Sequence, residues 1–188
     1  GHGDFDGKEF YYIWGDYTQS KKRQTSLQNI EIDALLRQLN PKLVIKIIDA
    51  CNSGVSYIKD SDVIEKYLSS SEQSFQKCYF LFSSQNDQYS LADINMSYFT
   101  NTFLQSLNQE IGKKIRYKDI IDYISDSFEQ SGKQTPFFVT QADFTDVFCS
   151  INDEIKKLLH NIKSVVSGYA ASGSPANQTL LDLVKQDA

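Results

Sequence analysis

The feature that most constrains the fold is a short apolar run, Leu-Val-Ile-Lys-Ile-Ile at residues 43–48, that leads directly into a polar turn. A run this short and this apolar is typical of a strand buried on both faces of a parallel sheet. The next residues, Asp-Ala-Cys-Asn-Ser-Gly at 49–54, end in a glycine that permits a tight turn. Because functional side chains gather at the carboxyl ends of strands in α/β sheets, this turn is the strongest candidate for a functional site.

Helical and strand-like segments alternate around this run, which predicts an α/β fold with a mostly parallel sheet. Thr25 and Gln28 form a predicted capping box before a helix that Pro41 stops. A second buried strand is predicted at residues 78–82. The apolar residues at helical spacing in the first helix are Leu27, Ile30, Ala34, Leu35 and Leu39. Further predicted elements are strands at 9–14 and 136–140, the latter at a sheet edge because of Pro136, and amphipathic helices at 97–107, 117–128 and 151–166.

Polar segments connect these elements. Residues 18–26, with a basic run at 21–23, are predicted to be a solvated loop, and residues 55–76 a long surface loop. Small and polar residues at 168–178 predict a linker, and 179–184 a short terminal helix. The chain therefore divides into a core at 1–150 and a C-terminal region at 151–188 made of an amphipathic helix, a linker and a tail.

Composition excludes several classes of protein. A net charge of −5 does not favour nucleic-acid binding, which needs a basic face. No apolar stretch approaches the roughly 18 residues that cross a membrane. Three cysteines without paired spacing argue against a disulfide framework or a zinc site and favour a reducing cytoplasm. No ordered series of acidic residues predicts a calcium loop, so no cofactor is expected, with calcium left as an alternative.

Cys51 is the candidate nucleophile because only two residues separate it from a predicted strand end, and its neighbours are polar. The alternative is a buried structural cysteine, which is the usual role of a lone cysteine. Cys78 lies inside an apolar strand and Cys149 follows Val147-Phe148, so both are expected in or near the core.

A thiol needs a base to become the reactive thiolate. The chain has two histidines. His160 follows Leu159 on the C-terminal helix and is expected to be structural or exposed. His2 lies between two glycines, which permit an unusual backbone and close approach of a substrate. The alternative for His2 is a flexible terminus or the remnant of an expression tag.

Taken together, Gly1-His2-Gly3, the strand at 43–48 and the segment 49–54 resemble the catalytic core of the caspase clan, the C14 peptidases. The interval between His2 and Cys51 is similar to the ~50 residues that separate histidine and cysteine in caspases. The Asp-x-Cys-x-Ser-Gly form resembles metacaspases and bacterial caspase-like proteases more than animal caspases, and a bacterial origin is expected. Three other segments within residues 1–145 resemble metacaspases: 83–93, 97–100 and 134–136.

The resemblance implies a caspase-like three-layer sandwich, with a mostly parallel sheet flanked by helices. In that family, strands precede the histidine, so the protease core at 1–150 is expected to be incomplete at its N-terminus. A missing N-terminal segment or a regulatory domain is therefore an expected partner.

The resemblance also implies the chemistry. Cys51 would be the nucleophile and His2 its base, in a dyad that acts on protein or peptide substrates. The N–H groups of Gly3 and Cys51 would form the oxyanion hole. Any self-processing is expected in the loop at 55–76.

A preference for Arg or Lys at P1 is expected, because a basic side chain in a partly dehydrated pocket needs a carboxylate partner. Asp49 and Asp93 are the candidate acidic residues of this S1 pocket, and Ser83 is expected to add a hydrogen bond. The alternatives are a turn residue for Asp49 and a helix-start residue for Asp93. The arginines of the chain, residues 23, 37 and 116, are not placed to hold an acidic P1 side chain.

A second hypothesis from another class is a protease-like interaction or regulatory module without significant activity, in which the helix at 151–166 docks a partner. Packing of that helix against the core is the simpler expectation. Bacterial relatives act in antiphage or cell-death systems, which is an expectation from the resemblance alone.

Overall fold

In a computed structural model, the described residues are 2–6, 9–51, 53, 75–85, 88–92, 96–129 and 134–171, with side chains described as far as residue 162. The predicted loop at 55–76 and the predicted tail therefore lie largely outside the described residues. The strands are β1 (His2–Phe5), β2 (Phe10–Ile13), β3 (Ser26–Gln28), β4 (Val44–Ile48), β5 (Cys78–Phe82), β6 (Lys114–Arg116), β7 (Phe137–Gln141) and β8 (Val147–Ser150). The helices are α1 (Lys22–Thr25), α2 (Asn29–Gln38), α3 (Tyr98–Ser106), α4 (Tyr117–Phe128) and α5 (Asp153–Ala171).

The central sheet has the order β4-β5-β7. β4 and β5 are parallel and in register from Val44 opposite Cys78 to Ile48 opposite Phe82. β7 runs antiparallel to β5 and pairs with no other described strand, which confirms the predicted edge strand after Pro136. Since parallel strands end at the same edge of a sheet, Cys51 after β4 and Ser83 after β5 come to the same place.

Two apolar clusters cover the two faces of β5, whose five residues are all buried. Tyr79 and Leu81 pack against α3 and α4, through residues such as Phe99 and Ile120. Cys78, Phe80 and Phe82 pack on the opposite face with Val44. Each fully buried large side chain stabilises the fold by about 1.5–3 kcal/mol. The predicted helices at 97–107 and 117–128 and the α/β class are thus confirmed.

Helix α2 begins later than the capping box of Thr25 and Gln28 predicts, and that prediction is wrong. Residues 26–28 are used as β3, which pairs with β2, so the helix starts at Asn29. The backbone N–H of Gln28 instead donates to the Glu31 carboxylate at 2.9 Å. Part of the predicted solvated loop before it forms a 3₁₀ turn and α1, because Thr25 and Ser26 hydroxyls donate back to the carbonyls of Lys21 and Lys22.

The fully buried residues of α2 are polar, contrary to the apolar periodicity of its sequence, and Leu36 is a partly buried apolar residue of this helix that packs on the core. Ile30, Leu35 and Leu39 are 47%, 57% and 76% exposed, whereas Asn29 and Asp33 are 3% and 0% exposed. The reason is Lys46 of β4, which points toward α2 and needs polar partners. β4 is likewise not buried on both faces in the described part of the chain, since Ile45 and Ile47 are 41% and 39% exposed.

Two small antiparallel assemblies complete the described fold, and the sequence predicts only one of their strands, β2. One is the sheet β1-β2-β3, and the other is the pair β6–β8. Helix α5 packs its first turns on the core through Ile155 and Leu159, in agreement with the simpler expectation for this helix. It continues to Ala171, past the predicted start of the linker at residue 168.

Among the described residues, no helix combines the length and the apolar character that crossing a bilayer requires.

Candidate active site

The turn that carries Cys51 is tied to the end of β5 by hydroxyl groups. Ala50, directly before Cys51, is buried. Its N–H donates to Ser83 Oγ at 3.1 Å, and its carbonyl accepts from the same hydroxyl at 3.1 Å. Ser84 Oγ also donates to this carbonyl, at 3.3 Å. Because a buried backbone group without a partner is costly, these contacts hold the turn in one conformation.

Exposure separates Cys51 from Cys78 but not from Cys149, which is also half-buried. Cys51 is half-buried, whereas Cys78 is fully buried in β5, as expected of a core cysteine. Burial raises the pKa of the Cys78 thiol to about 11, and burial also raises the pKa of Cys149. Since the thiolate is the nucleophilic form, both groups are poor nucleophiles at neutral pH.

Gly3 lies against the Cys51 turn. A Cβ atom added to Gly3 would lie 2.6 Å from the Cys51 carbonyl oxygen and 2.5 Å from a ring carbon of Phe10. Any residue other than glycine is therefore excluded by steric overlap in this arrangement. This close contact joins β1 to the turn after β4.

The structure does not join the two predicted members of the dyad by a hydrogen bond. His2 is the first residue of β1, lies opposite Ile13 and is exposed. No hydrogen bond links its imidazole to the Cys51 thiol within the described residues. Catalytic hydrogen bonds are often long before substrate binds, so formation of the dyad requires a movement of one of the two groups. His160 lies on α5 and is exposed. From the sequence, this residue is expected to be either structural or exposed, and the second expectation is confirmed.

Asp49, the last residue before Ala50, is held by hydroxyl groups. Its carboxylate accepts hydrogen bonds from Ser90 Oγ at 2.7 Å and from the hydroxyls of Ser97 and Thr100. Ser97 is also the N-cap of α3, accepting from the Thr100 N–H at 3.0 Å. These hydroxyl contacts orient the carboxylate. Sequence reasoning missed Ser90, Ser97 and Thr100, although Ser97 at the predicted helix start is a typical capping residue.

Of the two other residues of the predicted S1 pocket, only Ser83 belongs to the described residues, and it contacts Ala50 next to Asp49. Asp93 lies outside the described residues. Ser83 is fully buried and its hydroxyl bonds with Ala50, so it supports the turn from behind instead of facing a substrate.

Gln134 is a further residue of this region whose role the sequence did not predict. Its side chain is buried, donates to the Ser83 carbonyl at 2.7 Å and accepts from the Leu91 N–H at 2.9 Å. It thereby connects the segment after β5 with the start of β7.

The described residues contain no group of three or more histidine, cysteine or acidic side chains able to hold a metal ion. That the protein needs no cofactor is a prediction from the sequence, and it is still untested.

Comparison with known proteins identifies the domain. No curated protein matches the sequence. A family model for the caspase domain matches residues 1–148, which include β1, the Cys51 turn and every described strand except the end of β8. The chain therefore belongs to the caspase family of cysteine peptidases.

Proposed function

We propose that the protein is a cysteine endopeptidase that cleaves protein substrates after Arg or Lys, with Cys51 as nucleophile and His2 as base. The observation that carries the proposal is the contact of Gly3 with the Cys51 turn, within a caspase domain. It brings together two backbone segments whose N–H groups are the proposed oxyanion hole. The half-buried state of Cys51, against the buried Cys78, supports its role as the reactive thiol.

The proposed mechanism assigns a role to each of these groups. His2 accepts the thiol proton, and Cys51 Sγ attacks the carbonyl carbon of the scissile bond. The N–H groups of Gly3 and Cys51 donate to the oxygen that becomes negative, and each such donor typically contributes about 3 kcal/mol to transition-state stabilisation. The imidazolium then protonates the leaving amine as the C–N bond breaks. Water, deprotonated by the same imidazole, hydrolyses the thioester and regenerates the thiol.

The preference for a basic P1 residue is supported by Asp49. Its carboxylate is half-buried beside the nucleophile turn and is oriented by neutral hydroxyls. A guanidinium or ammonium group that approaches it would find an oriented negative charge, whereas an acidic P1 side chain would be repelled. Asp93 remains a proposed second carboxylate, and Ser83 is assigned to the turn and not to the pocket.

The three cysteines are free thiols, which fits a reducing compartment, so we place the enzyme in the cytoplasm and group it with metacaspase-like members of the family. No metal is required by this mechanism.

The test is labelling with a peptidyl-arginine ketone that alkylates an active-site thiol. Wild-type protein is expected to be labelled at Cys51, identified by mass spectrometry, and to cleave an Arg-P1 fluorogenic peptide. Cys51→Ala should lose both, and Cys149→Ala, which removes another partly exposed thiol, should retain both. His2→Ala should lower turnover by about 10²–10⁴-fold.

A folded wild-type protein that neither reacts nor cleaves would overturn the proposal. It would favour instead an interaction or regulatory module built on the caspase domain.

A further inference from the structure

A buried polar network joins three elements on the α2 side of the central sheet. Lys46 of β4 is 5% exposed and Asp33 of α2 is 0% exposed, and Lys46 Nζ lies 2.6 Å from the Asp33 carboxylate. Lys46 Nζ also donates to Asn29 Oδ1 at 3.0 Å. The same oxygen accepts from the hydroxyl of Tyr12 in β2 at 2.9 Å, and Asn29 Nδ2 donates to Asp33 at 3.3 Å.

Burying this network carries a large desolvation cost, because two charged side chains are removed from water. Burial lowers the pKa of Lys46, against the opposing effect of Asp33, because the charged ammonium has lost most of its water. Apolar side chains of similar volume often stabilise a fold as well as a buried ion pair does. The polar network instead fixes the relative position of β2, α2 and β4. Its hydrogen bonds are directional, and all of them are made only when these three elements lie in one arrangement.

One end of the network lies on β2, which pairs with β1, and the other lies on β4, which precedes the Cys51 turn. Tyr12 is the direct cross-strand partner of Gly3. Lys46 lies in β4, the strand that leads into the Cys51 turn. Gly3 in turn contacts the Cys51 carbonyl. The β1–β2 hairpin is therefore connected to β4 and its following turn in two ways. One is the contact of Gly3 with the Cys51 carbonyl, and the other is the hydrogen-bonded chain Tyr12–Asn29–Lys46.

We propose that Tyr12, Asn29, Asp33 and Lys46 are positioning residues, which set the distance between the Gly3 N–H and the Cys51 turn. The proposal rests on the proposed peptidase function for its catalytic consequence. Its structural part, that the network holds the hairpin against the turn, is independent of activity. A small displacement at an oxyanion hole weakens transition-state binding with little effect on substrate binding or on the thiol itself.

The decisive variant is Tyr12→Phe, which removes one hydroxyl and leaves Asn29 Oδ1 bonded to Lys46. The matched control is Tyr11→Phe on the opposite face of the same strand, since the Tyr11 hydroxyl also makes a side-chain hydrogen bond, accepting from Gln28 Nε2 at 2.9 Å. Tyr12→Phe is expected to lower kcat about tenfold with KM changed less than about twofold. The affinity for a peptide aldehyde, which binds as an oxyanion adduct, should fall by the same factor, and the rate of Cys51 alkylation by iodoacetamide should not change. Tyr11→Phe should leave all four values near those of wild type.

Amide hydrogen exchange of residues 2–5 gives the independent readout. It should be faster in Tyr12→Phe than in Tyr11→Phe, whether or not the protein is active. Equal exchange in the two variants overturns the proposal, as does an equal loss of kcat in both. If wild type has no turnover but the exchange difference is present, the peptidase function fails and the positioning of the hairpin stands.

Discussion

The hydroxyl of Ser83 accepts a hydrogen bond from the N–H of Ala50 and donates one to the carbonyl of the same residue, both at 3.1 Å. One side chain at the end of β5 thus satisfies both backbone groups of the residue before Cys51. The nucleophile turn is therefore fixed from behind by the neighbouring strand.

Ser83→Ala should destabilise the protein by about 1–3 kcal/mol, because the buried N–H of Ala50 loses its hydrogen-bond partner. Ser84→Ala should cost less, since the Ala50 carbonyl keeps Ser83. The free energy of unfolding from urea titrations is the measurement. Equal losses in the two variants would contradict the role given to Ser83.

Gly3→Ala should reduce kcat by about 100-fold or more, because the new Cβ overlaps the Cys51 carbonyl oxygen and the Phe10 ring and must push β1 from the turn. Gly15→Ala is the matched control, since a Cβ there meets nothing within 4 Å. Its stability should stay within about 0.5 kcal/mol of wild type. Peptide hydrolysis and thermal unfolding of both variants test this, and a fully active Gly3→Ala protein would show that the contact is not required.

Lys46→Met should destabilise the protein by roughly 3–5 kcal/mol, because it leaves the Asp33 carboxylate buried without its ammonium partner. The double variant Lys46→Met/Asp33→Leu should recover most of this loss, since no charge remains in the site. Denaturant unfolding of wild type, the two single variants and the double variant forms a complete cycle. A double variant as unstable as the sum of the singles would indicate that the two residues act independently.

The stability of the protein should fall as pH rises from about 9 to about 11, in part through Cys78. Burial raises the pKa of this thiol from 9.0 to about 11, so the folded state keeps a proton that the unfolded state releases. The contribution is complete below pH 9 and is lost as pH rises through the folded pKa, with a slope of at most ~1.4 kcal/mol per pH unit. Cys78→Ala, measured in the same reducing buffers, should show a shallower decline. Identical slopes would exclude Cys78 as a source.

Asp49→Asn should lower kcat/KM for an Arg-P1 peptide by about 100-fold while leaving a citrulline-P1 peptide nearly unchanged. Citrulline has the shape of arginine without its charge, so the comparison isolates the charge of the carboxylate. The amide oxygen can still accept from the hydroxyls of Ser97 and Thr100, which share one carboxylate oxygen, while the amide NH2 can donate to Ser90 Oγ, which bonds the other. Faster cleavage after Asp than after Arg by wild type, or unchanged Arg cleavage in Asp49→Asn, would refute the basic P1 preference.

Elements with a strong local pattern were predictable. The apolar spacing of Ile120 and Ile124 placed α4, and the continuous apolar run of β5 predicted a strand that is buried throughout. The family motifs around His2 and Cys51 identified the caspase domain that the family model matches. These features depend on residues close together in sequence, where periodicity and turn chemistry decide the structure.

The short strands β1, β3, β6 and β8 were not predictable, because three or four residues become a strand only by pairing with another segment. The burial of Asn29 and Asp33 in place of Leu35 and Leu39 was decided by one lysine on a different element.

The sequence by itself therefore determined the fold class, the main helices and strands, and Cys51 as the candidate thiol at a strand end. Only the tertiary structure decided that Gly3 contacts the Cys51 turn, that Ser83 supports this turn from behind, and that Lys46 reorients α2. The physical reason is that these contacts join residues far apart in the chain, whose hydrogen bonds and steric limits exist only once the sheet has brought them together.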